Sequence, residues 1–203
     1  MDENDLIDEY YDNEKELFEI LTVRDSIIPN ANKGLFTTAS ITKGTIIGEY
    51  FGKRYSEDKI FSNDTSKYVF AYEKNKVKFR INPSLDCILR YVNDIFNFDK
   101  SVKYGELYNY DTITISGVTI KISYNVDWFL YDEKVYMITI RDINEGEELF
   151  INYDCPYWKF CIQKPFLKKR KYKNDVGDII FNRIIKRRQE EYKCEDISNE
   201  NKI

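Results

Sequence analysis

The sequence predicts a mainly β domain with a helix at each end, and three observations carry the prediction. Apolar residues recur with strand spacing through the middle of the chain: Val135, Met137, Ile138 and Ile140 form one run, and Leu149, Ile151 and Tyr153 share one face of the next. Turn residues punctuate these runs at Lys43-Gly44, Ser116-Gly117 and Asn144-Glu145-Gly146-Glu147, because Gly and Asn tolerate positive φ. Helical spacing is confined to the ends. Leu6, Ile7, Tyr10, Tyr11, Leu17, Phe18 and Leu21 fall on one face of residues 5–21, and Val176, Ile179, Ile180, Ile184 and Ile185 make a stripe within 176–192.

The elements between follow from the same reasoning. Residues 22–38 form a loop around Pro29, Asn30, Asn32 and Gly34, with a strand beginning at Leu35-Phe36. Ile46, Ile47 and Tyr50 make a strand that Gly52 ends. Residues 56–62 read as a short helix capped by Ser56, with Glu57 and Asp58 in its first turn. Strands at 68–72 and 77–81 flank a charged turn. Pro83 and Ser84 open a turn before the apolar Cys87-Ile88-Leu89. Residues 112–115 and 118–122 form a β-hairpin. A strand covers 148–153.

Composition narrows the chemistry. A chain of 203 residues fits one domain with tails, and no apolar run approaches the ~18–20 residues of a membrane span. The acidic N-terminus does not read as a secretory signal. Cys87, Cys155, Cys161 and Cys194 form no C-x-x-C pair, so no metal site or disulfide framework is expected, and reduced thiols fit a nuclear or cytoplasmic protein that is not secreted. The chain contains no histidine, which excludes Ser-His-Asp and Cys-His hydrolases and HExxH proteases. Its net charge of −4 is uneven: residues 2–19 hold nine acids against Lys15, whereas 159–193 carry Lys168-Lys169-Arg170-Lys171 and Lys186-Arg187-Arg188.

Four segments, in order, resemble motifs of the SET-domain protein-lysine methyltransferases. Asn32-Lys33-Gly34-Leu35-Phe36 resembles G-x-G-[LIV]-[FA], with Asn32 in place of the first glycine; Asn is the next residue suited to a left-handed turn. Gly48-Glu49-Tyr50-Phe51-Gly52 resembles the G-x-x-I-x-E-Y-x-G segment. Arg90-Tyr91-Val92-Asn93-Asp94 resembles R-[FY]-[IV]-N-H-S, with Asp94 where His is usual, a variant associated with SET proteins of large DNA viruses and lower eukaryotes. Residues 146–153, GEELFINY, followed by Tyr157-Trp158, resemble the family's C-terminal signature. The cysteine-rich segment that follows the domain in many members is missing.

The resemblance implies the SET fold, small β-sheets with a pseudoknot, plus N-terminal and C-terminal helices. It divides the chain into an acidic N-terminal helix or tail (1–22), a SET domain (23–158) with an inserted β-hairpin within 99–124, and a basic helical segment (159–203). It implies an S-adenosylmethionine (SAM)-dependent protein-lysine N-methyltransferase that needs no metal. Lys33, Gly34 and Leu35 would meet the methionine part of SAM, Asn93 its amino-acid end and Asp94 the adenine through backbone, with Arg90 and Tyr91 alongside and Trp158 stacking on the adenine. Tyr153 is the implied catalytic tyrosine, and Tyr50 would hold the amine. Glu49, Trp128 and Ile151 would line the substrate channel. Ile151 stands where the family often has a Phe/Tyr switch; it cannot hold a water, so more than one methyl is expected to be added.

A basic protein substrate, a histone tail, suits the acidic N-terminal segment, and the basic tail at 159–193 suits nucleosomal DNA. The C-terminal isoleucines could pair two chains as a homodimer or pack on the domain. Two further readings stay open: a catalytically inactive SET-like peptide- or chromatin-binding module, motivated by Asn32 and Asp94, and a nucleic-acid-binding protein acting through the basic tail.

Overall fold

The computed structural model describes residues 2–56, 68–74, 76–99 and 106–153. Residues 1–152 belong to one unit, and a second begins at Tyr153, its single described residue. The expected C-terminal helix, Trp158, the basic tail and most of the expected helix at 56–62 lie outside the described residues.

Helix α1 (Glu3–Glu19) starts at Asp2, whose side chain accepts from Asn4 and Asp5 amides while Asp5 reaches back to the Asp2 amide. It lies on a three-stranded antiparallel sheet ordered β11 (Val126–Tyr131), β12 (Lys134–Thr139), β3 (Ile46–Glu49). Ile7 and Tyr10 from the helix bury against Ile46 and Tyr136, with Leu6, Leu17, Phe129, Tyr131 and Ile138 at the margin. Period-two alternation sends Tyr136 and Ile138 to the helix, whereas Val135 and Met137 point to the opposite, equally buried face.

The remaining sheets are small. β1 (Leu21–Asp25) pairs with β2 (Lys33–Thr37), and β4 (Gly52–Ser56) and β5 (Phe70–Lys74) flank β6 (Val77–Pro83). β7 (Phe96–Asp99) pairs with β8 (Glu106–Asn109), and β9 (Thr112–Ile115) with β10 (Val118–Lys121). This mainly β architecture agrees with the sequence reading, including α1 and the β9–β10 hairpin. Two local expectations are corrected. Gly52 begins β4, which runs to Ser56, instead of closing a strand. The expected strand over 148–153 forms no continuous ladder.

That last segment is threaded between several elements. Phe36 bridges Glu148, and the Leu149 amide donates to the Leu35 carbonyl at 2.7 Å. Two residues on, Phe150 forms a parallel bridge with Asn93, and the Ile151 amide donates to the Asn93 carbonyl at 2.9 Å. The opposite edge meets Asn125, which is fully buried. Its side chain imitates a neighbouring strand: Nδ2 donates to the Glu148 carbonyl at 2.9 Å, and Oδ1 accepts from the Phe150 amide at 2.7 Å. The segment thus has different partners at each step, which is why it makes isolated bridges.

Candidate active site

An aromatic group gathers where β3, β5 and β11 meet. Tyr50, just past β3, is 4% exposed. Its ring stands edge-on to Trp128, with centroids 5.1 Å apart and planes at 82°. Phe70 lies 3.9 Å from Trp128 and 6.4 Å from Tyr50. The Tyr50 hydroxyl donates to the Tyr68 carbonyl, and the Arg90 guanidinium lies 4.2 Å above the Tyr68 ring. Burial pushes the Tyr50 phenol far above its ordinary range, and the charge of Arg90 opposes this without cancelling it. Tyr50 therefore stays a neutral phenol. Its proton is committed to Tyr68, so towards a ligand its oxygen acts as an acceptor. Aromatic faces around such an oxygen suit an alkyl chain ending in an amine.

A polar group forms around Glu148, which is 3% exposed. Its Oε1 accepts from Ser26 Oγ at 2.7 Å and from Asn93 Nδ2 at 3.0 Å, and its Oε2 accepts from the Ile27 amide at 2.8 Å. Burial raises the carboxyl above its ordinary range, opposed by these three donors and by the charge of Arg24. Asn93 Nδ2 also donates to the Lys33 carbonyl at 2.9 Å. The loop before β2 is closed by the Ser26 amide on the Asn32 carbonyl, with Asn30 and Asn32 at φ 66° and 67°. Asn32 thus adopts the left-handed turn expected of the glycine it replaces. Gly34 leaves the space that the carboxylate fills, since a Cβ there would stand 2.0 Å from Glu148 Oε1.

The structure joins the expected residues into these two groups. Lys33, Gly34, Leu35 and Asn93 stand together around Glu148; the Lys33 ammonium itself is paired with Asp25 on the surface. Asp94 is buried and accepts from the Phe96 amide and the Tyr124 hydroxyl, so its side chain holds its own segment. Arg90 is placed with Tyr68, beside Tyr50, and also reaches the Ser84 carbonyl; the Tyr91 ring is 6.0 Å from its guanidinium. Trp128 joins Tyr50. Glu49 does not: its carboxylate pairs with Lys134 at 3.2 Å on the helix-facing side of the sheet, because adjacent strand residues point to opposite faces. Ile151 is fully buried, and Tyr153 is half-buried.

Glu148, Ser26 and Phe70 were not singled out from the sequence. The signal for Glu148 was an acid in phase with Phe150 in an otherwise apolar segment; such a side chain must find donors. Nothing in the sequence near Ser26 indicated its partner.

The family model of the SET domain matches residues 32–154. The chain belongs to the SET-domain family. Among solved structures, this SET protein is similar to ATXR5 in complex with histone H3.1 mono-methylated on R26, at 17% identity, covering 75% of this chain and 66% of that one with a TM-score of 0.50. It also matches the methyltransferase domain of human PR domain-containing protein 2, at 21% identity over 66% of this chain and 76% of that one, with a TM-score of 0.42. The likeness to ATXR5 is one of fold. No curated protein matches the chain.

Proposed function

We propose that this SET protein is a SAM-dependent protein-lysine methyltransferase acting on a basic protein substrate, with a histone tail as the first candidate. The observation that carries the reading is the aromatic group of Tyr50, Phe70 and Trp128 on a domain of this family. The polar group suits the cofactor: the Glu148 carboxylate, the Lys33 carbonyl and Asn93 Oδ1 are all acceptors, which fit a cationic ligand. Lys33, Gly34, Leu35, Asn93 and the backbone of Asp94 would hold it, with Trp158 by family match. When bound, SAM supplies an activated methyl group on a sulfonium.

The protein's own residues then position a lysine. Its methylene stem would lie against the packed rings of Trp128 and Phe70, which exclude water. An apolar channel lowers the amine's pKa from its reference of ~10.4 and favours the neutral nucleophile. Tyr50 accepts from that amine because its own proton is held by Tyr68. Alignment of the reacting atoms at ~3–3.5 Å supplies ~7–11 kcal/mol of the barrier. Tyr153 is proposed as the catalytic tyrosine from the family motif alone. The acidic face of α1 favours a basic peptide.

The test is transfer of labelled methyl from SAM to core histones and nucleosomes, wild type beside Tyr153→Phe. Transfer is expected in the wild type and at least ~100-fold less in the variant. Wild-type protein that binds SAM but labels neither would redirect the search to other basic proteins. Protein that neither binds SAM nor labels would support the inactive binding module. Against the module, both departures that motivate it are accommodated: Asn32 takes the left-handed turn, and Asp94 is fully engaged. Ile151 carries no hydroxyl to hold a water, so mass spectrometry of the labelled peptide is expected to show di- or trimethylated lysine; a single methyl under excess SAM would contradict this. Contact of the 159–193 segment with nucleosomal DNA is a separate proposal, tested by whether salt-sensitive binding disappears when the segment is removed.

A further inference from the structure

We propose that Glu148 is a positioning residue of the ligand site: it fixes the Asn93 carboxamide so that Oδ1 alone faces a ligand, which selects a cationic amine. This rests on the methyltransferase reading, whose cofactor carries one such amine at its amino-acid end.

The hydrogen-bond inventory of Asn93 is the starting point. Its amide has two N–H donors, and both are used, one on the Lys33 carbonyl and one on Glu148 Oε1. A backbone carbonyl can only accept, and so can an ionised carboxylate. Turning the amide over would set oxygen against oxygen twice. The remaining atom, Oδ1, accepts from no described residue, and Asn93 is only half-buried. An acceptor held in this way, with a carboxylate behind it, favours a positively charged donor.

Glu148 can do this because it is itself held from several directions. Ser26 Oγ, on the same oxygen as Asn93, and the Ile27 amide, on the other oxygen, fix the carboxylate from the loop before β2. The absence of a side chain at Gly34 gives it room. Neither nearby cation bonds to it: the Arg24 guanidinium contacts the Gly146 carbonyl at 3.5 Å and the Phe36 ring at 4.2 Å, and the Lys33 ammonium pairs with Asp25. Among the described residues its bonds go to Ser26, the Ile27 amide and Asn93.

Glu148→Gln keeps the size but turns one acceptor into a donor. Either the Ile27 amide or the Asn93 amide then faces another N–H. Calorimetry on the full chain would compare S-adenosylhomocysteine, which has the amino-acid end, with 5′-methylthioadenosine, which shares the adenosine and thioether but lacks that end. Glu148→Gln is expected to weaken the first about tenfold, the size of one charge-assisted hydrogen bond, and the second less than twofold. In an Asn93→Ala background the same substitution is expected to add less than twofold for S-adenosylhomocysteine. Equal weakening of both ligands, or of neither, overturns the assignment and leaves Glu148 as a purely structural acid. Ser26→Ala, which removes a donor that holds the carboxylate and is not among the residues assigned to the cofactor, should give the same selective loss in smaller measure and decides the matter if Glu148→Gln does not fold. A wild-type protein that binds neither ligand removes the methyltransferase reading and this assignment with it.

Discussion

Replacing Asn125 with Ala is expected to cost the domain about 2–6 kcal/mol of folding stability. The estimate comes from two backbone groups, the Glu148 carbonyl and the Phe150 amide, that lose their partners inside a buried segment. Each buried group left unsatisfied costs about 1–3 kcal/mol. A domain of this kind holds only ~5–15 kcal/mol in total, so the variant sits near the threshold for folding. Asn125→Asp sharpens the argument. It keeps an acceptor for the Phe150 amide but sets a second oxygen against the Glu148 carbonyl, and is expected to be no better than Ala. Denaturant unfolding followed by tryptophan fluorescence would measure both. An Ala variant within 1 kcal/mol of wild type would mean that the segment does not depend on this imitation strand.

Gly52→Ala should be the next most damaging. A Cβ at this position would stand 2.2 Å from the Asn82 carbonyl oxygen, 2.6 Å from the Pro83 Cα and 2.7 Å from the Ser84 nitrogen. All three are backbone atoms, so no side chain can turn aside. The start of β4 must then part from the end of β6 where Gly52 pairs with Pro83. Overpacking of this sort costs about 1–3 kcal/mol. The damage also travels, because β6 pairs with β5, which carries Phe70 to the Trp128 ring. Both the unfolding midpoint and the near-ultraviolet tryptophan signal are expected to shift. Gly117→Ala is the steric control: a Cβ there meets nothing within 4 Å, so its φ of +82° is its only cost.

These two glycines and Asn125 show where a sequence is readable and where it is not. Helix α1, the Ser116-Gly117 hairpin and the turn around Gly146 are local, set by spacing and turn chemistry, and are correctly anticipated. The sequence reading ends a strand at Gly52. Gly52 opens the β4–β6 ladder instead, at a point where another backbone comes too close for any side chain, and sequence carries no sign of that approach. Tyr50 and Trp128 were expected near one another from family resemblance and are in contact. Glu49 was expected beside Tyr50 on the same ground, although period-two alternation already separates neighbours in a strand. Glu148 was visible only as an acid in an apolar run; its donors come from loops that the sequence does not connect to it.

The threading of residues 148–151 bears on how the chain reaches its native state. Leu35, Asn93 and Asn125 all wait for partners that are synthesised after them. On a ribosome, the earlier sheets can pair as they emerge, but their open carbonyls and amides cannot be sealed until this segment arrives. Closure is therefore a late event with long loops, the kind that proceeds slowly and leaves apolar surface open in the meantime. A nascent chain stalled before Glu148 would be the form most exposed to chaperones and to aggregation.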